Sequence, residues 1–155
     1  MPIKSRFAHT NLIANDWKKI ADFYIHVFGC EPVSTERDHH GPWVAELTAI
    51  PGARVRGQHL RLPGYPREIA PTIEIFQYQR NLPSLPTALN RPGFAHIAFE
   101  VEDVPKARQL VLKHGGADHG KELVIDIPGA GQLNLVYMCD PEGNVIELQK
   151  WLKGR

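Results

Sequence analysis

Two histidines and two glutamates recur at matching places in this 155-residue chain. His9 stands in "FAHTNLI" and His96 in "FAHIAFE", while Glu74 stands in "TIEIFQY" and Glu147 in "NVIELQKW". Each glutamate lies inside an apolar, strand-like run, where an unpaired carboxylate faces a desolvation cost of several kcal/mol. Two imidazoles and two carboxylates sharing one site offset that cost best around a divalent cation. Ligand distances would be about 2.0–2.2 Å, with the remaining positions open to water or substrate. No thiolate belongs to the set, so the donors suit Zn, Ni, Co, Mn or Fe(II) and do not choose among them. The rival reading of the same residues is His–Glu hydrogen bonding across a cleft without metal.

The elements that must position these groups are written twice. "FAHTNLIANDWKKIADFYIHVFGC" lies over "FAHIAFEVEDVPKARQLVLKHGGA" without a gap, matching Phe7 with Phe94, His9 with His96, Asp16 with Asp103 and Gly29 with Gly116. Each copy passes from a two-residue to a three-to-four-residue apolar period, a strand followed by a helix. Trp17, Ile20, Ala21, Tyr24, Val27 and Phe28 form one helical stripe ending at Gly29. Asp103 reads as the N-cap of a second helix that stops near Gly115 and Gly116. Further strands are expected at "PWVAELTAI", "RVRGQHLRLP" and "TIEIFQY" in the first copy. The second copy offers "KELVIDIP", "QLNLVYM" and "NVIELQKW", the last two joined by a "DPEGN" turn. "YQRNLPSLPTALNRPG", with three prolines, reads as the linker.

The expected architecture is therefore α+β. It is a single domain of two βαβββ modules, residues 1–78 and 93–155 with a linker at 79–92, forming a curved eight-stranded mixed sheet around a concave site. Ile73 and Ile75, like Ile146 and Leu148, form the helix-facing sets, which turns Glu74 and Glu147 to the other face. His9 and His96 follow, because Thr10 and Leu12, or Ile97 and Phe99, serve the helix side better.

Composition excludes several classes. With 18 Lys and Arg against 17 Asp and Glu the net charge is +1, which gives no basic field for a nucleic acid or a membrane surface. No run approaches the roughly 18 apolar residues of a membrane span, and the N-terminus lacks a signal-peptide core, so a cytoplasmic protein is expected. Cys30 and Cys139 form no CxxC pair. Neither a nucleophilic Ser or Cys constellation nor a phosphate-cradling Gly-rich loop is evident. Arg54, Arg56 and Arg61 are available to meet an anion, though exposed strand arginines explain them as well. Gln58 and His59 stay open as ligands, since a bulge at Gly57 would decide which one faces the site. His39 and His40 read as a solvated loop, and Tyr65 as a loop residue placed where a lid would lie.

Through "HTNLIANDWKKIADFYIHVFG", "TIEIFQY", "GFAHIAFEVEDVPKA" and "DPEGNVIELQKW", the chain resembles the vicinal oxygen chelate superfamily over nearly its whole length. That superfamily includes glyoxalase I, methylmalonyl-CoA epimerase, extradiol dioxygenases, and fosfomycin and bleomycin resistance proteins. The resemblance implies paired modules around a metal, often in a homodimer, and it maps the ligands onto His9, Glu74, His96 and Glu147. The presence of Glu74 beside the other three looks most like the glyoxalase I or epimerase type. The implied function is a divalent-metal-dependent lyase or isomerase acting on a small oxygenated metabolite through a metal-stabilised enolate. Glu147 is the first choice of general base and Glu74 the group that returns the proton. The alternatives are an Fe(II)-dependent extradiol-type dioxygenase and a metal-free, ligand-sequestering binding protein.

Overall fold

In the computed structural model, which describes residues 2–154, the chain divides into two units, Met1–Pro83 and Ser84–Arg155. Unit 1 opens with strand β1 (His9–Ile13) and helix α1 (Trp17–Phe28). The Asp16 carboxylate caps α1 by accepting from the Lys19 N–H at 3.1 Å, and Gly29 ends the helix in left-handed backbone at φ 69°. The stripe read from the sequence is the buried face: Trp17, Ile20, Ala21 and Tyr24 lie against the sheet. Short strands β2 (Glu31–Pro32) and β3 (Arg37–His39), helix α2 (Pro42–Thr48), and strands β4 (Val55–Arg61) and β5 (Thr72–Tyr78) complete the unit.

One expected strand is a helix. "PWVAELTAI" supplies α2, with Pro42 at its start, where a missing N–H costs nothing, and with helix formers Ala45, Glu46 and Leu47 behind it. Of its apolar residues only Val44 is buried, whereas Trp43 and Leu47 are exposed, so the alternation that suggested a strand is a one-sided helix contact. Arg37–His39 takes the sheet position instead, pairing antiparallel with β4.

Unit 2 repeats the plan with β6 (Ile97–Glu100), α3 (Val104–Lys113), β7 (Ala117–Asp118), β8 (Leu123–Ile127), β9 (Gly131–Cys139) and β10 (Val145–Gly154). Asp103 caps α3 through the Lys106 N–H at 2.9 Å. Each unit holds a five-stranded sheet where the repeat suggests four. The surplus comes from strands of two or three residues, too short to show a period.

In both sheets the first and last strands of the unit lie side by side and parallel, β1 on β5 and β6 on β10. The intervening helix and strands form the long crossover that such a pair requires. The core sits between helix and sheet: Ile73, Ile75 and Leu60 under α1, and Ile146, Leu148 and Val136 on the corresponding strands of unit 2, are all nearly inaccessible. A second, smaller cluster of Val44, Ala53, Val55 and Phe76 fills the space between α2 and the opposite face of the first sheet.

β4 runs beside β5 in unbroken register from Val55↔Tyr78 to Arg61↔Thr72, so Gly57 is not a bulge. It is a close approach. A Cβ at Gly57 would strike the Ile75 carbonyl and the Phe76 ring. Gly57→Ala is expected to destabilise the protein by about 1–3 kcal/mol, as overpacking does. The denaturant midpoint checks this, and a wild-type midpoint would contradict the close packing of β4 on β5.

Candidate active site

The register places the chemistry. Asn11 on β1 is the partner of Glu74 on β5, and Glu74 is in turn the partner of His59 on β4, so the three side chains share a face. His9 lies two residues before Asn11 on that same face. Its Nε2 is 3.6 Å from Glu74 Oε2, and its ring meets that of His59 edge-on with centroids 5.6 Å apart. Asn11 Nδ2 donates to Glu74 Oε2 at 2.8 Å. His59 Nε2 lies 2.6 Å from Glu74 Oε1.

Unit 2 builds the same figure from its own strands. Glu147 on β10 is the partner of Ala98 on β6 and of Tyr137 on β9. His96 Nε2 is 3.2 Å from Glu147 Oε2, the His96 and Tyr137 rings lie 5.1 Å apart, and the Tyr137 hydroxyl donates to Glu147. Each unit therefore brings together the expected histidine and glutamate. The carboxylates are well covered, with side chains 16% exposed for Glu74 and 11% for Glu147, which explains why each keeps polar company.

Among the described residues no three His, Cys, Asp or Glu side chains already stand as a metal cluster; the donors meet pairwise. Two electrostatic perturbations mark the β4 and β9 residues that face the glutamates. Burial holds the His59 imidazole below the usual histidine range, against the opposing pull of the Glu74 carboxylate. Burial also pushes the Tyr137 phenol up, helped by the Glu147 charge and the hydrogen bond to it, so Tyr137 is a proton donor at neutral pH.

His59 is the site residue that the sequence left undecided, and the unbroken register settles it. Gln58 points the other way, donating to the Ser34 carbonyl at 2.6 Å. The signal that would have found His59 is its place opposite the glutamate, which Tyr137 shares. That equivalence is hidden in sequence because the β4–β5 loop is longer than the β9–β10 turn. The arginines are committed elsewhere: Arg54 forks onto Asp38, Arg61 pairs with Glu31 at 3.0 Å, and Arg56 lies 3.8 Å from Glu36. His39 belongs to β3 rather than to a loop and lies edge-on to Trp43 and Phe76, whereas Tyr65 is exposed in the loop before β5. A cavity of about 400 Å³ beside α2, lined by His40, Pro42, Ala45, Ala53, Arg54 and Gln79, contains none of the clustered histidines or glutamates. The titratable constellation is therefore the better marker of the site.

An unfolded chain takes up a proton at His59 before the folded one does, because its pKa is the higher of the two. Folding stability is thus undiminished above the ordinary histidine pKa of about 6.5 and falls as the pH drops from there through the lower folded value. In chelator-treated protein, the loss of urea midpoint between about pH 7.5 and about pH 5.5 is expected to be smaller for His59→Gln than for wild type. An identical loss in both would show that His59 titrates normally.

The family model described as Glyoxalase/Bleomycin resistance protein/Dioxygenase superfamily matches residues 6–148. Among solved structures, a glyoxalase family protein from Bacillus cereus is similar at 19% identity and a TM-score of 0.81, covering 98% of this chain and 97% of that one. A glyoxalase family protein from Enterococcus faecalis follows at 20% identity and a TM-score of 0.59, covering 93% and 96%. The fosfomycin resistance protein FosX from Listeria monocytogenes, solved with Mn(II) and sulfate, is 16% identical with a TM-score of 0.56, covering 96% and 93%. At these identities the likeness is one of fold. No curated protein matches the chain at a significant level.

Proposed function

The chain belongs to the Glyoxalase/Bleomycin resistance protein/Dioxygenase superfamily, and from that premise we propose that it is a divalent-metal-dependent lyase or isomerase acting on a small oxygenated metabolite. The observation that carries the proposal is the repetition of a covered His–Glu pair on the paired first and last strands of both units: His9 with Glu74, and His96 with Glu147. These four are the proposed ligands. The donor set fits the ion: it is nitrogen and oxygen only, as first-row divalent cations prefer. Beside it a further covered imidazole nitrogen, His59 Nε2, lies 2.6 Å from Glu74 Oε1. FosX, a relative in fold, is described with Mn(II).

Bound there, a divalent ion supplies Lewis acidity to a substrate carbonyl and so eases loss of the proton beside it. The chain's own residues then move that proton. Glu147 is the proposed base. Its register partner on the first strand is Ala98, which offers no donor, while Tyr137 fixes the carboxylate from the other side. Glu74 is restrained by the Asn11 amide on Oε2, which suits it to staying in place and returning a proton rather than swinging to collect one. The apolar rims of both strands, Ile73 and Ile75 or Ile146 and Leu148, belong to the core and keep these carboxylates from shifting with the backbone.

Protein purified without chelator is expected to carry one divalent ion for every two His–Glu pairs, and His96→Ala is expected to lose it. Elemental analysis measures both. Full metal content in that variant would remove His96 from the ligand set.

A further inference from the structure

Resting on the metal-binding reading above, we propose that His59 is a further ligand of the ion, so that unit 1 by itself carries a donor set of two histidines and one glutamate. Its place in the sheet, its cover and its contacts lead there. His59 occupies the β4 position facing the glutamate, the position whose twin on β9 in unit 2, Tyr137, also contacts its glutamate and its histidine. Its side chain is 13% exposed, and its Nε2 stands 2.6 Å from Glu74 Oε1. That contact sets an imidazole nitrogen and a carboxylate oxygen, both ligand atoms for a first-row divalent ion, side by side in a covered place.

The far side of the ring completes the pattern. Nδ1 lies 3.2 Å from Thr72 Oγ1, so the hydroxyl can accept the Nδ1–H and leave the Nε2 lone pair free, the outer contact that a metal-binding histidine makes. Glu74 is the shared member of both unit 1 pairs, with His9 at Oε2 and His59 at Oε1, and the two rings already lie edge to face around it.

Loading the full-length protein with Co(II) tests this directly. An imidazole bound through Nε2 gives one solvent-exchangeable, paramagnetically shifted Nδ1–H proton resonance. Wild type is expected to show three such signals, from His9, His59 and His96. His59→Gln is expected to show two and to bind Co(II) roughly 100-fold or more weakly, beyond the 10–100-fold typical of an outer-shell partner. Three signals and near-wild-type affinity in the variant would overturn the proposal and make His59 a neighbour of Glu74 only. Should His59→Gln not fold, the wild-type spectrum decides: two signals or fewer overturn the assignment. Failure of wild type to bind Co(II) would instead overturn the metal reading on which it stands.

Discussion

A carboxylate in the middle of a strand whose flanking residues are core has one place to go, the opposite face, and the parallel pairing of first and last strands determines what it meets there. Ile73 and Ile75 are buried under α1, so Glu74 is forced to the other side; the same holds for Glu147 between Ile146 and Leu148. Because Asn11 is the register partner of Glu74 and Ala98 that of Glu147, the histidine two residues upstream lies diagonally across from the carboxylate in both units. Diagonal neighbours on paired strands remain within reach of long side chains. A slip of one residue in either pairing would bury the glutamate against a helix at a cost of several kcal/mol, so the hydrophobic pattern that makes the sheet also fixes the imidazole–carboxylate contact.

The same backbone figure carries different chemistry in its two copies. Around Glu74 stand an amide from Asn11 and an imidazole from His59; around Glu147 the equivalent places hold the methyl of Ala98 and the phenol of Tyr137. A phenol whose pKa is raised keeps its proton and donates it in the hydrogen bond to Glu147, which orients that carboxylate. A neutral imidazole offers either a proton or a lone pair. Divergence at these two positions gives two equally placed carboxylates different company, an amide and an imidazole for Glu74 and a phenol for Glu147.

The repeat, both glutamates, both first-strand histidines, the two capped helices and the facing of the first and last strands of each copy were legible from residue types and periods, because each depends on local alternation and capping. What escaped were features set by tertiary context. Glu31–Pro32 and Ala117–Asp118 are too short to show alternation and exist only because β4 and β9 leave edges for them to pair with. "PWVAELTAI" alternates well enough for a strand, yet proline at its head and three helix formers behind it favour α2. His59 was ambiguous because a glycine in a strand signals either a bulge or a close approach, and the two reverse the facing of every residue beyond it.

The misread helix bears on the site itself. Val44 of α2 packs with Ala53, Val55 and Phe76 on the face of the sheet that carries Glu74, so this small cluster is a wall beside the polar group rather than part of the main core. Phe76 also contacts both His39 and His59, with ring centroids 5.8 Å away in each case, and Gly57 lacks the side chain that would push the Phe76 ring aside. Apolar packing therefore reaches His59 from the α2 side, while Thr72 holds its Nδ1 edge and Glu74 lies at its Nε2. Phe76 thus links the α2 cluster to the ring of His59, and the burial of that ring lowers its pKa against the pull of Glu74.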